Sequence, residues 1–299
     1  MPKFRHLISI DDLNREDILY ILDKAEEFEE VARGRVKLKI LEGKILANLF
    51  FEPSTRTRMS FEVAMKRLGG DVINLTAQEA SSIAKGETLA DTIRVVSKYC
   101  DAIVIRHPLE GAARFAAENS DVPVINAGDG AGQHPTQTLL DLYTIKKECG
   151  KLDGISIALM GDLKYSRTVH SLIKALTLFK TKIYLISPET LMLPDDFLEE
   201  LNGNIEKVDL DDVIDEIDVL YVTRIQRERF PDEEEYRRVA GSYRITADIV
   251  NGRDFIVMHP LPRVDEIDVS VDKTKNARYF QQAFYGVPVR MAILTEVML

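Results

Sequence analysis

The chain has 299 residues, with 39 basic against 49 acidic side chains and a formal charge of −10. Hydrophobic residues make up 45% and charged residues 29%, a globular balance that excludes disordered, collagen-like and disulfide-rich classes. The length fits two domains with real cores, and the acidity excludes a general binder of nucleic acid or anionic membrane, since both need net positive potential.

Residues 1–40 read as helix, with an N-cap offered by Ile8 to Asp12 and with Ile18, Ile21, Leu22 and Ala25 at helical spacing. From Lys44 the pattern becomes an alternation. Strands are predicted at Lys44–Phe51, Asp71–Leu75, Ala102–Arg106 and Val122–Asn126. Helices are predicted at Ser54–Leu68, Thr88–Tyr99 and Gly111–Asn119, and a long one runs from His134 to Gly150. The alternation then restarts, with strands at Ile155–Met160, Ile183–Ile186, Ile205–Val208, Val219–Val222 and Ile256–Met258. A helix carries Val169, Leu172, Ile173, Leu176 and Phe179, and the acidic run Asp232–Glu235 reads as a helix start. Val287–Leu299 is a last helix that buries Val289, Ile293, Leu294 and Val297.

Strand–helix alternation with short β-branched strands predicts an α/β fold: two domains, each a parallel sheet flanked by helices. Cys100 and Cys149 sit in apolar helical surroundings and read as reduced core thiols. The segment Met1-Pro2-Lys3-Phe4-Arg5-His6 lacks the apolar stretch of a secretory signal, and no run approaches the roughly 18 residues of a membrane span. A cytoplasmic protein is expected.

Parallel sheets bind ligands at the carboxyl ends of their strands, so the residues after each strand matter most. After the first comes Glu52-Pro53-Ser54-Thr55-Arg56-Thr57-Arg58, where hydroxyls and two arginines meet at a helix N-terminus. A cap needs one hydroxyl; this set has the chemistry of a phosphate site. It is not a Walker loop, because the glycine spacing and GK[ST] are absent. Later exits carry Arg106-His107-Pro108 and a glycine-rich run into His134-Pro135-Thr136-Gln137. The glycine spacing misses the dinucleotide fingerprint. In the second half the exits carry Asp162 to Thr168, Thr223-Arg224-Ile225-Gln226 and His259-Pro260-Leu261-Pro262-Arg263. Arg56, Arg106, Arg167, Arg224 and Arg263 together imply a ligand with several anionic groups. The five histidines show no metal spacing and there is no CxxC, so neither metal nor cofactor is expected.

These residues resemble the aspartate carbamoyltransferase catalytic chain, within the aspartate/ornithine carbamoyltransferase family, over nearly the whole chain. Phe50 to Arg58 resembles the carbamoyl-phosphate signature of the family, and His134 to Gln137 its second shared motif. Arg167, Thr223 to Gln226 and His259 to Arg263 resemble the aspartate-specific elements; Pro260 stands where ornithine enzymes carry a cysteine.

The resemblance implies carbamoyl phosphate bound by Ser54, Thr55, Arg56, Thr57 and Arg106. Its carbonyl oxygen would meet Thr57, Arg106 and His134. Its amide would meet Gln137 and the carbonyls of Pro260 and Leu261. Aspartate would be held by Lys85, Arg167, Thr168, Arg224 and Gln226. Ser81 and Lys85 would also bind carbamoyl phosphate and would come from a neighbouring subunit, in a homotrimer with shared active sites. A cis bond would fall at Leu261–Pro262. The implied domains are 1–134 with 285–299, binding carbamoyl phosphate, and 135–284, binding aspartate; helices near 135–149 and 285–299 would link them. Pairing with regulatory chains stays open, as do an ornithine acceptor and a non-catalytic anion-binding module.

Overall fold

The structure, a computed structural model, describes residues 4–76, 86–225, 234, 239, 241 and 243–299. Ser81, Lys85, Gln226 and the acidic run, Glu234 apart, lie outside the described residues. The chain divides into two compact units: residues 1–143 with 284–299, and residues 144–283.

In the first unit the N-terminal helical reading needs correction. Helix α1 spans Arg15–Glu27 and is capped by Asn14, whose side chain accepts from Asp17 N in a capping box. Asp12 instead closes a short 3-10 turn capped by Ser9. Helix α2, Glu29–Ala32, then ends the helical stretch. Gly34 explains the stop: its φ is 77°, and a Cβ there would lie 2.5 Å from the Arg67 guanidinium.

Strand β1, Ile45–Phe50, leads into α3, Thr55–Arg67. Then follow β2 at Asp71–Thr76, α4 at Leu89–Val96 and β3 at Ala102–His107. Next come α5 at Ala112–Glu118, β4 at Val124–Asp129 and α6 at Pro135–Cys149. All strand pairs are parallel, in the order β2-β1-β3-β4. Alternation decides the faces. Ala47, Leu49, Ile103 and Ile105 form one core with Ile93 of α4 and with Ala113 and Ala116 of α5. Strand β4 runs past the predicted end at Asn126 to Asp129, through an irregularity in its pairing with β3 between Ile105 and His107. Alanine and glycine, poor strand formers, hid that extension.

The second unit repeats the plan. Strand β5, Ser156–Met160, leads to α7, Arg167–Leu176, and β6, Lys182–Ile186. Then come α8 at Asp195–Glu199, β7 at Asn204–Lys207, α9 at Leu210–Val213 and β8 at Val219–Val222. Helix α10 spans Ala247–Val250, and β9 spans Ile256–Met258. The order is β7-β6-β5-β8-β9, again parallel. Ala158, Met160, Tyr184, Leu220, Val222 and Val257 face one core with Val213, Ile245, Val250 and Phe255. Helix α11, Tyr279–Met298, starts well before the predicted Val287 and continues through Pro288.

The cysteines depart from the core reading. Both are half-buried, and Cys100 follows α4 rather than lying in it. Burial raises both thiols to about 11. No helix among the described residues is long and apolar enough to cross a membrane.

Candidate functional site

Strand order locates the ligand-binding point of each sheet. In the first, the chain winds from β1 outward to β2, then returns to add β3 and β4 on the other side, so the switch lies between β1 and β3. In the second, the switch lies between β5 and β8. The carboxyl ends of adjacent strands that wind apart leave a crevice there. Ser54 to Thr57 and Arg106 sit at the first, and Arg167, Thr168 and Arg224 at the second, while His134 and Gln137 follow the edge strand β4 and Pro260 and Leu261 the edge strand β9.

At the first switch, Ser54 occupies the N-cap of α3 in extended conformation, yet its side chain makes no capping hydrogen bond. Thr55 and Arg56 are exposed in the first turn, while Thr57 is buried. Across the switch, Arg106 pairs in register with Phe50 of β1. Its Nη2 meets Glu52 Oε1 at 2.6 Å and its Nη1 donates to Ala127 O at 3.2 Å. One guanidinium thus spans the exits of β1, β3 and β4.

His134 is buried and immediately precedes α6, whose first helical position is Pro135. Its carbonyl accepts from Gln137 N at 3.0 Å and Thr138 N at 3.2 Å. The glycine-rich loop before it is held by two residues that sequence reasoning passed over. Asn126 donates to Ile8 O at 2.9 Å and to Asp129 Oδ1 at 3.0 Å. Asp129 accepts from Gln133 N at 3.0 Å and Gly111 N at 2.9 Å.

At the second switch, Gly161 has a φ of 116°, and a Cβ there would lie 2.2 Å from Thr223 O. Only glycine lets the exits of β5 and β8 approach so closely. Thr223 Oγ1 donates to Met160 O at 3.2 Å and contacts Asp162 O at 3.3 Å, which ties the two exits. Arg167 is buried as the first residue of α7, and Thr168 follows, its hydroxyl 3.0 Å from that of Ser166. Arg224 is half-buried just beyond β8.

The β9 exit is built around a buried histidine, His259. His259 is 1% exposed. Leu261 N donates to its Nδ1 at 2.7 Å, so the ring proton sits on Nε2, facing Glu266 Oε1 at 2.6 Å. Glu266 also accepts from the amides of Val264 and Asp265, each at 3.1 Å. This frame holds Leu261 at a φ of 57° beside the cis Leu261–Pro262 bond. Arg263 is a correction to the anion-binding set: its guanidinium is spent bidentately on Asp272, at 2.5 and 2.7 Å, and lies over the Tyr279 ring.

Burial lowers the His259 pKa below its ordinary 6.5 despite Glu266. The hydrogen bonds from His259 and two backbone amides outweigh burial at Glu266 and hold it below 4.5. In both cases the unfolded chain binds the proton at a higher pH than the folded one. Stability therefore falls as the pH drops below 6.5 toward the folded pKa of His259, and again below 4.5. Thermal unfolding followed from pH 7 to pH 5 should show a falling midpoint. His259→Asn, which cannot titrate, should flatten that part of the curve; an unchanged slope would remove His259 from the account.

The class these features define is a two-domain α/β protein whose switch points carry arginines and hydroxyls, chemistry suited to anionic ligands. The family model for the aspartate/ornithine carbamoyltransferase carbamoyl-P binding domain matches residues 5–147, and that for the Asp/Orn binding domain matches residues 153–297. The chain belongs to the aspartate/ornithine carbamoyltransferase family. The aspartate carbamoyltransferase catalytic subunit of Archaeoglobus fulgidus is 81% identical, over 99% of each chain. That of Methanocaldococcus jannaschii is 62% identical over 98% of this chain and 97% of its own. A crystal form of the M. jannaschii catalytic subunit superposes with a TM-score of 0.93 at 61% identity, covering 99% of this chain and 98% of the other. Aspartate transcarbamoylase from Trypanosoma cruzi in complex with carbamoyl phosphate and aspartate gives 0.94 at 44% identity, covering 99% and 97%.

Proposed function

We propose that the chain is an aspartate carbamoyltransferase. It moves the carbamoyl group of carbamoyl phosphate to the α-amine of L-aspartate, releasing N-carbamoyl-L-aspartate and phosphate, in cytoplasmic pyrimidine synthesis. The observation that carries this reading is the division of cations between two switch points. Arg56 and Arg106 accompany hydroxyls at the first; Arg167 and Arg224 accompany Thr168 at the second.

In this reading Ser54, Thr55, Arg56 and Thr57 take the phosphate, with a helix N-terminus behind them. Thr57, Arg106 and His134 donate to the carbonyl oxygen. The aspartate amine attacks the carbamoyl carbon, and charge builds on that oxygen. Donors already aimed at it supply the largest catalytic contribution in such reactions. The phosphate leaves with the electron pair of the broken C–O bond and can take the amine's proton. Gln137 and the carbonyls of Pro260 and Leu261 accept from the carbamoyl amide. Arg167, Thr168, Arg224 and Gln226 clamp the two carboxylates of aspartate. Ser81 and Lys85 come from a neighbouring chain in a homotrimer. Holding both substrates can remove about 7–11 kcal/mol of the bimolecular cost.

Purified chain given carbamoyl phosphate should form N-carbamoyl-L-aspartate from aspartate and no citrulline from ornithine, and should have the native mass of a trimer. Faster turnover of ornithine, or binding of phosphate with no turnover of either, would overturn the assignment.

A further inference from the structure

One side chain of α11 touches both α3, which follows β1, and α6, which follows β4. Arg290 is 3% exposed. Its Nη1 donates to Ser60 Oγ on α3 at 3.1 Å, and its Nη2 to Thr136 Oγ1 on α6 at 3.3 Å. The guanidinium lies 5.0 Å from the centroid of the Phe61 ring. Gly286, one turn earlier on α11, makes the room: a Cβ there would lie 2.3 Å from Nη1. Nε finds no hydrogen-bond partner among the described residues. Burial pulls the Arg290 pKa down to about 10, and the negative charge of Asp141 opposes that pull.

Asp141 is wholly buried on α6 and accepts from Gln137 Nε2 at 2.8 Å. An ionised carboxylate only accepts hydrogen bonds. Gln137 must then give its NH2 to Asp141, which leaves its carbonyl oxygen to face the other way. A protonated or amide group in place of the carboxylate would lift that constraint, because it could donate and let the Gln137 amide turn over. Arg290 opposes this change: its guanidinium bonds Thr136, the residue before Gln137, at 3.3 Å, and it attracts the negative charge of Asp141.

We propose that Asp141, backed by the buried Arg290 guanidinium, is a positioning residue that fixes Gln137 as an acceptor toward the ligand, so that the site selects an acyl phosphate bearing NH2 on its carbonyl carbon. The inference rests on the role given to Gln137 above and adds what makes that role selective.

The test compares carbamoyl phosphate with acetyl phosphate, which keeps the phosphate and carbonyl but replaces NH2 with methyl. Equilibrium binding to the native assembly would be measured for both ligands. The unaltered protein should prefer carbamoyl phosphate; if it does not, the functional reading falls and the inference with it. If it does, Asp141→Asn should narrow the preference about tenfold, the worth of one hydrogen bond, mainly by weakening carbamoyl phosphate. A preference that survives in D141N overturns the inference alone. Should D141N fail to fold, Arg290→Met and Arg290→Lys read the same coupling. R290M should lose the preference and R290K, which retains a cation, should recover part of it. Equal weakening of both ligands in R290M, with no recovery in R290K, would mark a merely structural role.

Discussion

Arg106→Ala should lower kcat/KM by at least about a hundredfold while shifting the melting temperature little. The catalytic loss follows from position. Arg106 leaves β3 at the switch point and spans three strand exits through Glu52 and Ala127. In the proposed reaction it donates to the oxygen on which charge develops. Removing one such donor costs about 2.7–4 kcal/mol, or 10²–10³ in rate. The small effect on stability follows from exposure. The Arg106 side chain is 13% exposed and Glu52 is 27% exposed. Glu52 can therefore turn to water when its partner is lost, and a partly exposed pair is worth at most about 1 kcal/mol. Arg106→Lys should recover only part of the activity, because an ammonium cannot reproduce the planar fork that reaches two exits at once. Steady-state kinetics beside thermal unfolding would decide. R106A within threefold of the parent would remove Arg106 from the chemistry, and a large loss of stability would make its role structural.

How much of this was legible in the sequence depended on the kind of signal. Strands such as Val219–Val222 and Ile256–Met258 were read to the residue, because a buried parallel strand is a short apolar run between polar turns. The exits proposed to carry chemistry stood out by composition: hydroxyls and arginines gather after β1 beyond any capping need, and Ser54 makes no cap bond. Arg263 shows the limit of that logic. At a strand exit it looked like Arg224, but Asp272 and Tyr279, which occupy it, are distant enough in sequence that no local pattern reveals the pairing. The frame behind the site was hidden for the same reason. The bond from Asn126 to Ile8, the Glu266 partner of His259 and the reach of Arg290 to Ser60 join segments that only the folded chain brings together. The helical reading of residues 1–40 failed at Gly34, where a positive φ ends the helical stretch. A lone glycine in the sequence does not announce that.

Arg167→Gln should raise the KM for aspartate about a hundredfold or more and leave carbamoyl phosphate affinity unchanged. Arg167 begins α7 directly after the β5 exit that Gly161 and Thr223 lock against β8. It is 7% exposed, so its charge acts where water screens it poorly. A hydrogen bond to a charged group contributes about 1.5–3 kcal/mol, and a guanidinium can give two to one carboxylate. Glutamine keeps a donor but not the charge or the fork, so most of that is lost. The acceptor therefore binds weakly while the phosphate cup, built on other strands, is untouched. The split between the two substrates is the diagnostic result, since a variant that misfolds would weaken both. Ornithine sharpens it: a dicarboxylate clamp has nothing to offer a second ammonium, so R167Q should lose aspartate turnover without gaining ornithine turnover. Carbamoyl phosphate binding by calorimetry, alongside kinetics with each acceptor, separates these outcomes. Equal loss of affinity for carbamoyl phosphate and aspartate would place Arg167 in the frame rather than in the clamp.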